Sequence, residues 1–479
     1  MNRQHRRYRL VVVVLLAGLS AIILSSAFGD LPVRAAVTLA VFLAAVFMWI
    51  ATPVEDSYVA LAAALVLVLT GGLTRKAFTE ALGSDLVWLV IGAFVIAAAV
   101  NATGLMTKFA EWVVTLARTP RQLVHLMTAA LLMTTFAVPS TSARAALALP
   151  VFMGLAAALS ERGALVLCMA LLFPTVILLS AIGSLLGAGA HLVTNEILGE
   201  AVNKSVGFVD WILLGLPLAL VWSHLAAEVI LMLFTRSEDR RSRLSVPASA
   251  WASQRATTAS GPLSNAQRRV LILLAAVIIG WCTEPIHHIN PAIVALTGAL
   301  VAVAPRVGTT SWSDALKTVP WSLLIFMAAT LALATAVTES GAADWLARAV
   351  LSPIHLLGSW ATTGFVVVVI LGSIGAHVVV QSRSARSAVL IPLVVTAAPT
   401  VGINPVAAAF ISTAAAGFCL TLTSSAKPLA MFAAIEEAPT FSSGDLLRLS
   451  AVLAPTSTVL LAVFTFLLWP ALGLGLYRQ

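Results

Sequence analysis

Charged residues are what this sequence has least of. Asp, Glu, Lys and Arg make up only 10% of its 479 residues, whereas 60% are hydrophobic. Because a soluble domain is about one-quarter charged, this scarcity excludes a solvated globular protein. Strict alternation of apolar and polar residues is also lacking, which argues against a transmembrane β-barrel. The apolar residues instead form runs of about 20, the length that a helix needs to cross a bilayer.

Cysteine is nearly absent as well. The three cysteines, Cys168, Cys282 and Cys419, are far apart, and each lies in apolar sequence. This spacing indicates neither a disulfide framework nor a zinc site, so we interpret them as small packing residues.

The basic residues give a net charge of +8, but their placement indicates membrane topology, not nucleic-acid binding. They cluster before the first apolar run and in the one long polar loop, at Arg3, Arg6, Arg7, Arg9, Arg236, Arg240, Arg241, Arg243, Arg255, Arg268 and Arg269. Such clusters face the cytoplasm. We therefore predict a multi-pass inner-membrane protein with a cytoplasmic N terminus, a cytoplasmic loop 235–269 and an external C terminus.

The apolar runs predict an all-α polytopic membrane protein with about eleven transmembrane helices. They lie near 10–28, 33–51, 57–72, 84–102, 164–181, 208–234, 267–283, 290–305, 319–338, 404–420 and 447–473. The first is longer than the core of a signal peptide and is interpreted as a span. Two further stretches, 123–158 and 355–398, are interrupted by polar residues and are predicted to be re-entrant helical hairpins.

The two interruptions resemble each other. The first reads PSTSARAALALP (139–150), the second reads QSRSARSAVLIP (381–392), and the matched positions are 242 residues apart. With about five spans per half, the two copies enter the bilayer from opposite sides. The sequence thus predicts an inverted repeat, an architecture that recurs in secondary transporters.

Each interruption ends with Ser-x-Ser-Ala-Arg at the start of an apolar helix. Ser142 and Ser384 suit the N-cap position. A helix N terminus has free N–H groups and a partial positive charge, so it favours an anion. We predict that both tips meet at one anion site, formed by Ser140, Thr141, Ser142, Arg144, Ser382, Arg383, Ser384 and Arg386.

Arg144 and Arg386 support this prediction because an arginine at mid-bilayer depth costs at least about 2.5 kcal/mol to insert. A bound anion would compensate that cost through bidentate hydrogen bonds. The alternative is a structural arginine that ties the hairpin to a carbonyl or to a carboxylate such as Glu228. Arg383 aligns with Thr141 and either faces the site or extends to the aqueous entrance.

Two Gly/Ser-rich segments follow the hairpins, at 180–198 and 417–432, and are predicted to be broken helices that expose backbone groups. His191 and Lys427 lie in them and are candidates for site electrostatics or proton exchange. His191 could instead bond a backbone carbonyl, and Lys427 could mark the cytoplasmic edge.

These features, in this order, resemble the divalent-anion/sodium symporter family of the ion-transporter superfamily. The segments WLVIGAFVIAAAVNATGL (88–105), INPAIVALTGALVAVAP (289–305), WSDALKTVPWSLLIF (312–326) and FVDWILLGLPLAL (208–220) also carry the resemblance. The resemblance implies a homodimer in which a mobile unit moves like an elevator against a scaffold. It divides the chain into scaffold (1–120), transport unit (121–235), cytoplasmic linker (236–266), scaffold (267–354) and transport unit (355–479).

The family's hallmark is Ser-Asn-Thr at each hairpin tip, which helps to bind sodium and the anionic substrate. Here the tips read Ser140-Thr141-Ser142 and Ser382-Arg383-Ser384, so this is a divergent member that lacks both asparagines. No cofactor is expected, and sodium is disfavoured as the coupling ion. We expect anion exchange, or proton coupling through a group such as His191.

The expected partners are the lipid bilayer and a small anion, with sulfate, dicarboxylate, tricarboxylate and organic sulfonate left open. A cation or metalloid antiporter of the same superfamily is the alternative, although it favours acidic residues at midplane. An intramembrane enzyme that pairs Ser140 with His191 is more remote.

Overall fold

The computed structural model describes residues 31–244, 262–343 and 360–477, together with isolated positions at 18–20, 22, 25, 26, 29, 345, 346 and 358. Most of the predicted first span, 10–28, and the N-terminal arginines lie outside the described residues. The described part is helical, apart from one isolated β-bridge between Ile403 and Tyr477. This confirms the all-α class.

Between residues 31 and 244, the structure contains eleven α-helices. They are α1 (Val33–Ala51), α2 (Asp56–Leu69), α3 (Arg75–Leu82), α4 (Asp85–Ala102), α5 (Leu105–Leu116), α6 (Pro120–Met133), α7 (Thr141–Ala158), α8 (Gly163–Leu179), α9 (Gly189–Val202), α10 (Phe208–Phe234) and α11 (Ser237–Arg241). Thr119 caps α6 by accepting a hydrogen bond from the Gln122 amide, and Pro120 occupies the first helical position, where no N–H is needed.

The described second half also contains eleven helices. They are α12 (Asn265–Cys282), α13 (Glu284–His287), α14 (Pro291–Ala302), α15 (Trp312–Lys317), α16 (Trp321–Glu339), α17 (Ala361–Gly375), α18 (Arg383–Ala397), α19 (Pro405–Ala415), α20 (Lys427–Ala433), α21 (Ser443–Val463) and α22 (Trp469–Ala471). Asn290 and Asn404 cap α14 and α19, and each is followed by a proline at the first helical position.

Ten helical segments of the described residues are long and apolar enough to cross a membrane. Seven match predicted spans, and three are arms of the predicted hairpins, at Thr141–Ala158, Ala361–Val378 and Arg383–Val401. These arms have 18 or 19 residues, so each is close to the length that a helix needs to cross a bilayer.

Three predicted spans form shorter helices. α2, α14 and α19 have 14, 12 and 11 residues, respectively, so that even α2 reaches only about 21 Å. Backbone breaks explain the difference for α2, which ends before Gly71, whose φ of 76° is left-handed. The apolar run of α19 continues past the helix end into the second broken segment.

The internal repeat is present in the local structure as well as in the matched sequence segments. α6 and α17 each end in a three-residue 3₁₀ turn, at Thr134–Phe136 and Ala376–Val378, again 242 residues apart. The order of hairpin, apolar helix, 3₁₀ break and short helix then recurs in both halves.

The two halves pack across each other reciprocally. In the regions predicted to be scaffold, α4 packs on α14, and α2 packs on α16. In the hairpin regions, the short helix α9 of the first half packs on α18, and the short helix α20 of the second half packs on α7. Each broken helix therefore places its second segment against the hairpin of the other half, as expected for a two-fold repeat.

Candidate functional site

Both hairpin tips begin their second helix with a serine cap, but the cap lies two residues before the predicted one. Ser140 accepts a hydrogen bond from the Ala143 amide at 3.4 Å, and Ser382 accepts one from Ala385 at 3.3 Å. The prediction of Ser142 as a cap was wrong because α7 already begins at Thr141.

The corresponding prediction for Ser384 was wrong for the same reason, since α18 begins at Arg383. Ser384 contacts the short helix of the other half. Its Oγ would lie 3.1 Å from a Cβ added to Gly189, the first residue of α9. The tip of the second hairpin thus meets the N terminus of α9, whereas Thr141 and Ser142 remain half-buried in the first turn of α7.

Arg144 is fully bonded inside the protein. Its side chain, 2% exposed, donates to the carbonyl oxygens of Leu131 (2.7 Å) and Ile177 (3.0 Å). It also donates to the hydroxyls of Thr134 (2.7 Å) and Ser180 (2.8 Å). The two carbonyls lie in the last turns of α6 and α8, where helix carbonyls carry a partial negative charge, and Leu131 also accepts from the amide and hydroxyl of Thr134.

This geometry fits the alternative in which Arg144 is a structural residue that ties the hairpin to backbone carbonyls. The carboxylate considered for that role, Glu228, bonds elsewhere: it accepts from Arg121 Nε at 2.7 Å and pairs with His125 Nε2 at 2.5 Å. A guanidinium at two helix C termini is stabilised without a neighbouring carboxylate.

Arg386, the matched residue, has the opposite environment. Its side chain is 0% exposed, and among the described residues no oxygen or nitrogen atom accepts a hydrogen bond from Nε, Nη1 or Nη2. Thr134, which bonds Arg144, aligns with Ala376 at the same separation of 242 residues, so one acceptor is lost in the second half. The Cys419 sulfur is a polar neighbour of Arg386 and lies 3.5 Å from the Gly417 carbonyl.

Arg383 lies next to Arg386 and also has unpaired donors. In the part of the chain that the structure describes, its Nε and Nη1 atoms are buried without a hydrogen-bond acceptor. Its Nη2 atom would lie 3.6 Å from a Cβ added to Gly417, in the second broken helix. The side chain therefore points towards the break and does not extend to an aqueous entrance.

His191 belongs to the same positive cluster. Its Nδ1 is 3.0 Å from the Ser184 carbonyl, and its ring packs on Trp211. The Nε2 atom is buried with no partner among the described residues, and Arg383 and Arg144 are close enough to act on the ring electrostatically. Both the predicted carbonyl bond and an unused ring nitrogen are thus present.

Lys427 does not join this cluster. It is exposed at the first position of α20 and lies near Asp56, at the start of α2. The Asp56 carboxyl also lies beside Ser382, so α2 reaches the tip of the second hairpin. This contact was not predicted, because residues 56 and 382 are in different halves.

A group of acidic residues was also missed. Asp85, Glu196, Glu200 and Glu284 line a cavity of about 370 Å³ between α9, α4 and α14. Glu196 lies within the broken segment 180–198, in which His191 was the predicted site residue. Within the described ranges, no group of three or more His, Cys, Asp or Glu residues could hold a metal ion.

Comparison with solved structures supports the architecture. The Neisseria gonorrhoeae MtrF structure, described as one of a class of antimetabolite efflux pumps, has a TM-score of 0.55 at 14% identity, covering 98% of this chain and 96% of that one. The Alcanivorax borkumensis YdaH transporter gives 0.52 at 17% identity, covering 86% and 89%. At these identities the similarity shows the fold alone.

Comparison with known sequences identifies the family. A membrane protein of Cupriavidus necator is 25% identical over 311 residues, which cover 64% of this chain and 60% of the relative. The sodium-dependent dicarboxylate transporter SdcS of Staphylococcus aureus is 22% identical over 409 residues, covering 78% and 75%. The family model described as the sodium:sulfate symporter transmembrane region matches residues 4–475. The chain is a membrane transporter that belongs to this sodium:sulfate symporter family, as its hairpins and broken helices suggested.

Proposed function

We propose that the protein is a secondary active transporter that carries a small anion, such as sulfate or a di- or tricarboxylate, across the inner membrane. The unpaired guanidinium of Arg386 is the observation that carries this proposal. A buried charge without hydrogen-bond partners is costly, and a carboxylate or sulfate oxygen is the partner that a guanidinium matches best.

The two halves contribute differently in this proposal. Arg144 holds the ends of α6 and α8 together and positions the first hairpin. Arg383 and Arg386, one helical turn apart on α18, face the anion. The tip serines and the N terminus of α9 supply further donors beside them. A solute with two negative charges fits two unpaired guanidinium groups better than one with a single charge.

Arg383 also bears on the coupling ion. The family's asparagine beside the sodium site is replaced by Arg383 in the second tip and by Thr141 in the first. A sodium ion about 4 Å from a guanidinium would be repelled by about 4 kcal/mol at an effective dielectric constant of 20. The fixed charge of Arg383 can stabilise the anion in place of sodium, so we propose sodium-independent transport.

The packing also suggests which parts move. The hairpins and broken helices of both halves contact one another through α9–α18 and α7–α20, and α2–α16 and α4–α14 join the scaffold regions. We propose that the first group moves as a unit against the second, in a homodimer whose N terminus is cytoplasmic. Cross-linking α9 to α16 should stop transport if this motion occurs, and undiminished transport would contradict it.

Tracer uptake into proteoliposomes tests the transport activity. Labelled sulfate, succinate and citrate are offered with choline in place of sodium on both sides. At least one anion should accumulate or exchange, and Arg386→Met should abolish that uptake. Transport that stops in choline and returns with a few millimolar sodium would show that Arg383 does not replace the ion.

The acidic cavity favours a second candidate, a cation antiporter, because Asp85, Glu196 and Glu200 would attract cations. The same proteoliposomes discriminate the two functions. Sodium-dependent proton movement without any anion flux would support the antiporter and reject the anion transporter.

A further inference from the structure

The acidic cavity lies at the contact between the proposed mobile unit and the scaffold. Asn195, Glu196 and Glu200 of α9 form one wall, and Ser84 and Asp85 at the start of α4 form another. Glu284 and Asn290, around the start of α14, close the far side. The cavity also reaches Leu185, in the break between α8 and α9, and so connects the interface with the broken helix.

Glu196 differs from the other acids of this cavity in its surroundings. The Asp85 carboxylate accepts a hydrogen bond from Asn290 Nδ2 at 2.5 Å, and Glu200 accepts one from Thr335 at 3.3 Å. Glu196 has the Ser84 hydroxyl beside it and two negative neighbours, Glu200 on its own helix and Asp85 across the interface.

Burial, with a smaller contribution from Glu200 and Asp85, raises the pKa of Glu196 to about 7. The other charged groups in the region are also mostly acidic. Glu284 of α13 faces Asp210 of α10 and the two histidines that end α13, His287 and His288. On α18, which packs on α9, the basic residues Arg383 and Arg386 lie at the helix start, beside the anion site.

Ionised Glu196 would oppose close contact between α9 and α4, because its charge would face Asp85 in a partly buried interface. A protonated Glu196 removes that repulsion and can donate a hydrogen bond. His191 is less suited to carry a proton, since an imidazolium there would add a positive charge beside Arg383 and Arg144. The Glu196 carboxyl group therefore titrates near neutral pH, and it lies where its charge affects the movement of α9 against α4.

We propose that Glu196 binds the coupled proton, so that an anion and H⁺ cross the membrane together. This inference rests on the proposed anion transport. The proton binds from water on one side, travels on the carboxyl group as the mobile unit shifts, and leaves to water on the other side. No covalent bond other than that O–H bond forms or breaks.

Unfolding of the purified protein in detergent, followed from about pH 5.5 to about pH 8.5, tests proton binding without transport. A carboxyl group whose pKa is higher in the folded state stabilises the fold as the pH falls through that value. The unfolding temperature of the wild type should rise as the pH falls through about 7. Glu196→Gln should flatten this dependence, and Glu200→Gln, the control on the next turn of α9, should keep it with its midpoint at a somewhat lower pH, because one negative neighbour of Glu196 is removed. An unchanged dependence in Glu196→Gln would overturn the proposal.

Uptake in proteoliposomes separates this inference from the proposed function. An inward proton gradient should accelerate anion uptake at least several-fold by the wild type, whereas Glu196→Gln should still transport but no longer respond to pH. An equal response in both proteins would reject Glu196 while leaving anion transport intact. A further outcome is that Glu196→Gln loses the pH-dependent unfolding but neither protein transports an anion. This result would reject the proposed function and would still support proton binding by Glu196.

Discussion

Replacing Arg144 by methionine should make the protein unfold at a lower temperature, whereas the same change at Arg386 should not. Without Arg144, the carbonyls of Leu131 and Ile177 each lose the donor that the guanidinium supplies. The four hydrogen bonds that Arg144 donates, to these carbonyls and to the hydroxyls of Thr134 and Ser180, are lost together; at about 1 kcal/mol each they account for about 4 kcal/mol. Arg386 has no such acceptors among the described residues.

Both substitutions remove a buried charge, and removing the unpaired charge of Arg386 should stabilise the fold more, so the gap between the two variants should be at least this large. The difference of about 4 kcal/mol should appear as an unfolding temperature several degrees lower for Arg144→Met, measured by tryptophan fluorescence in detergent without added anion. Anion binding should change in the opposite way. Arg386→Met should lose the stabilisation that an anion gives, because it removes charge-assisted bonds worth at least about 1.5 kcal/mol.

Equal destabilisation of the two variants would refute this distinction, because it would mean that Arg386 has protein partners as Arg144 does. Normal anion binding by Arg386→Met would likewise show that its guanidinium is structural. Arg386→Lys provides a further control: it keeps a positive charge but not the planar donor geometry, so it should bind the anion more weakly than the wild type.

Three further outcomes follow from local geometry. Ser140→Ala should cost about 1 kcal/mol in unfolding free energy by removing the cap of α7, and Ser142→Ala should cost much less. Gly92→Ala should destabilise the protein by about 1–3 kcal/mol, since its Cβ would lie 2.7 Å from the Ala295 backbone in α14; Gly372→Ala, with open space, should not. A membrane-impermeant maleimide should label exposed Cys282 from outside only, and labelling from the cytoplasmic side would contradict the proposed topology.

The internal repeat could be predicted from the sequence because it includes short segments whose residues match directly. The matched segments 139–150 and 381–392 predicted two hairpins, and the structure extends the same separation to the 3₁₀ turns before them. Long apolar runs likewise predicted most of the spans, since crossing a bilayer requires a nearly continuous apolar helix. The helix starts were less predictable, because each tip has two serines two residues apart that could cap the helix, and the first tip has a threonine between them.

The different roles of Arg144 and Arg386 could not be predicted from the motif they share. Their environments depend on residues outside it, such as Thr134, which is replaced by Ala376 in the other half. The surroundings of Glu196 could not be predicted either, since its neighbours Ser84 and Asp85 are more than 100 residues away in the chain. In both cases, the environment of the side chain depends on contacts with residues outside its own motif.

The central claim is that unpaired guanidinium groups in the second half bind the transported anion. A cryo-electron microscopy structure with a saturating anion, chosen as the one that most raises the unfolding temperature, tests it most directly. The account predicts density for the anion within hydrogen-bond distance of Arg386 and Arg383, with Arg144 still bonded to Leu131 and Ile177. Density for the anion elsewhere, with Arg386 bonded to protein atoms, would contradict it.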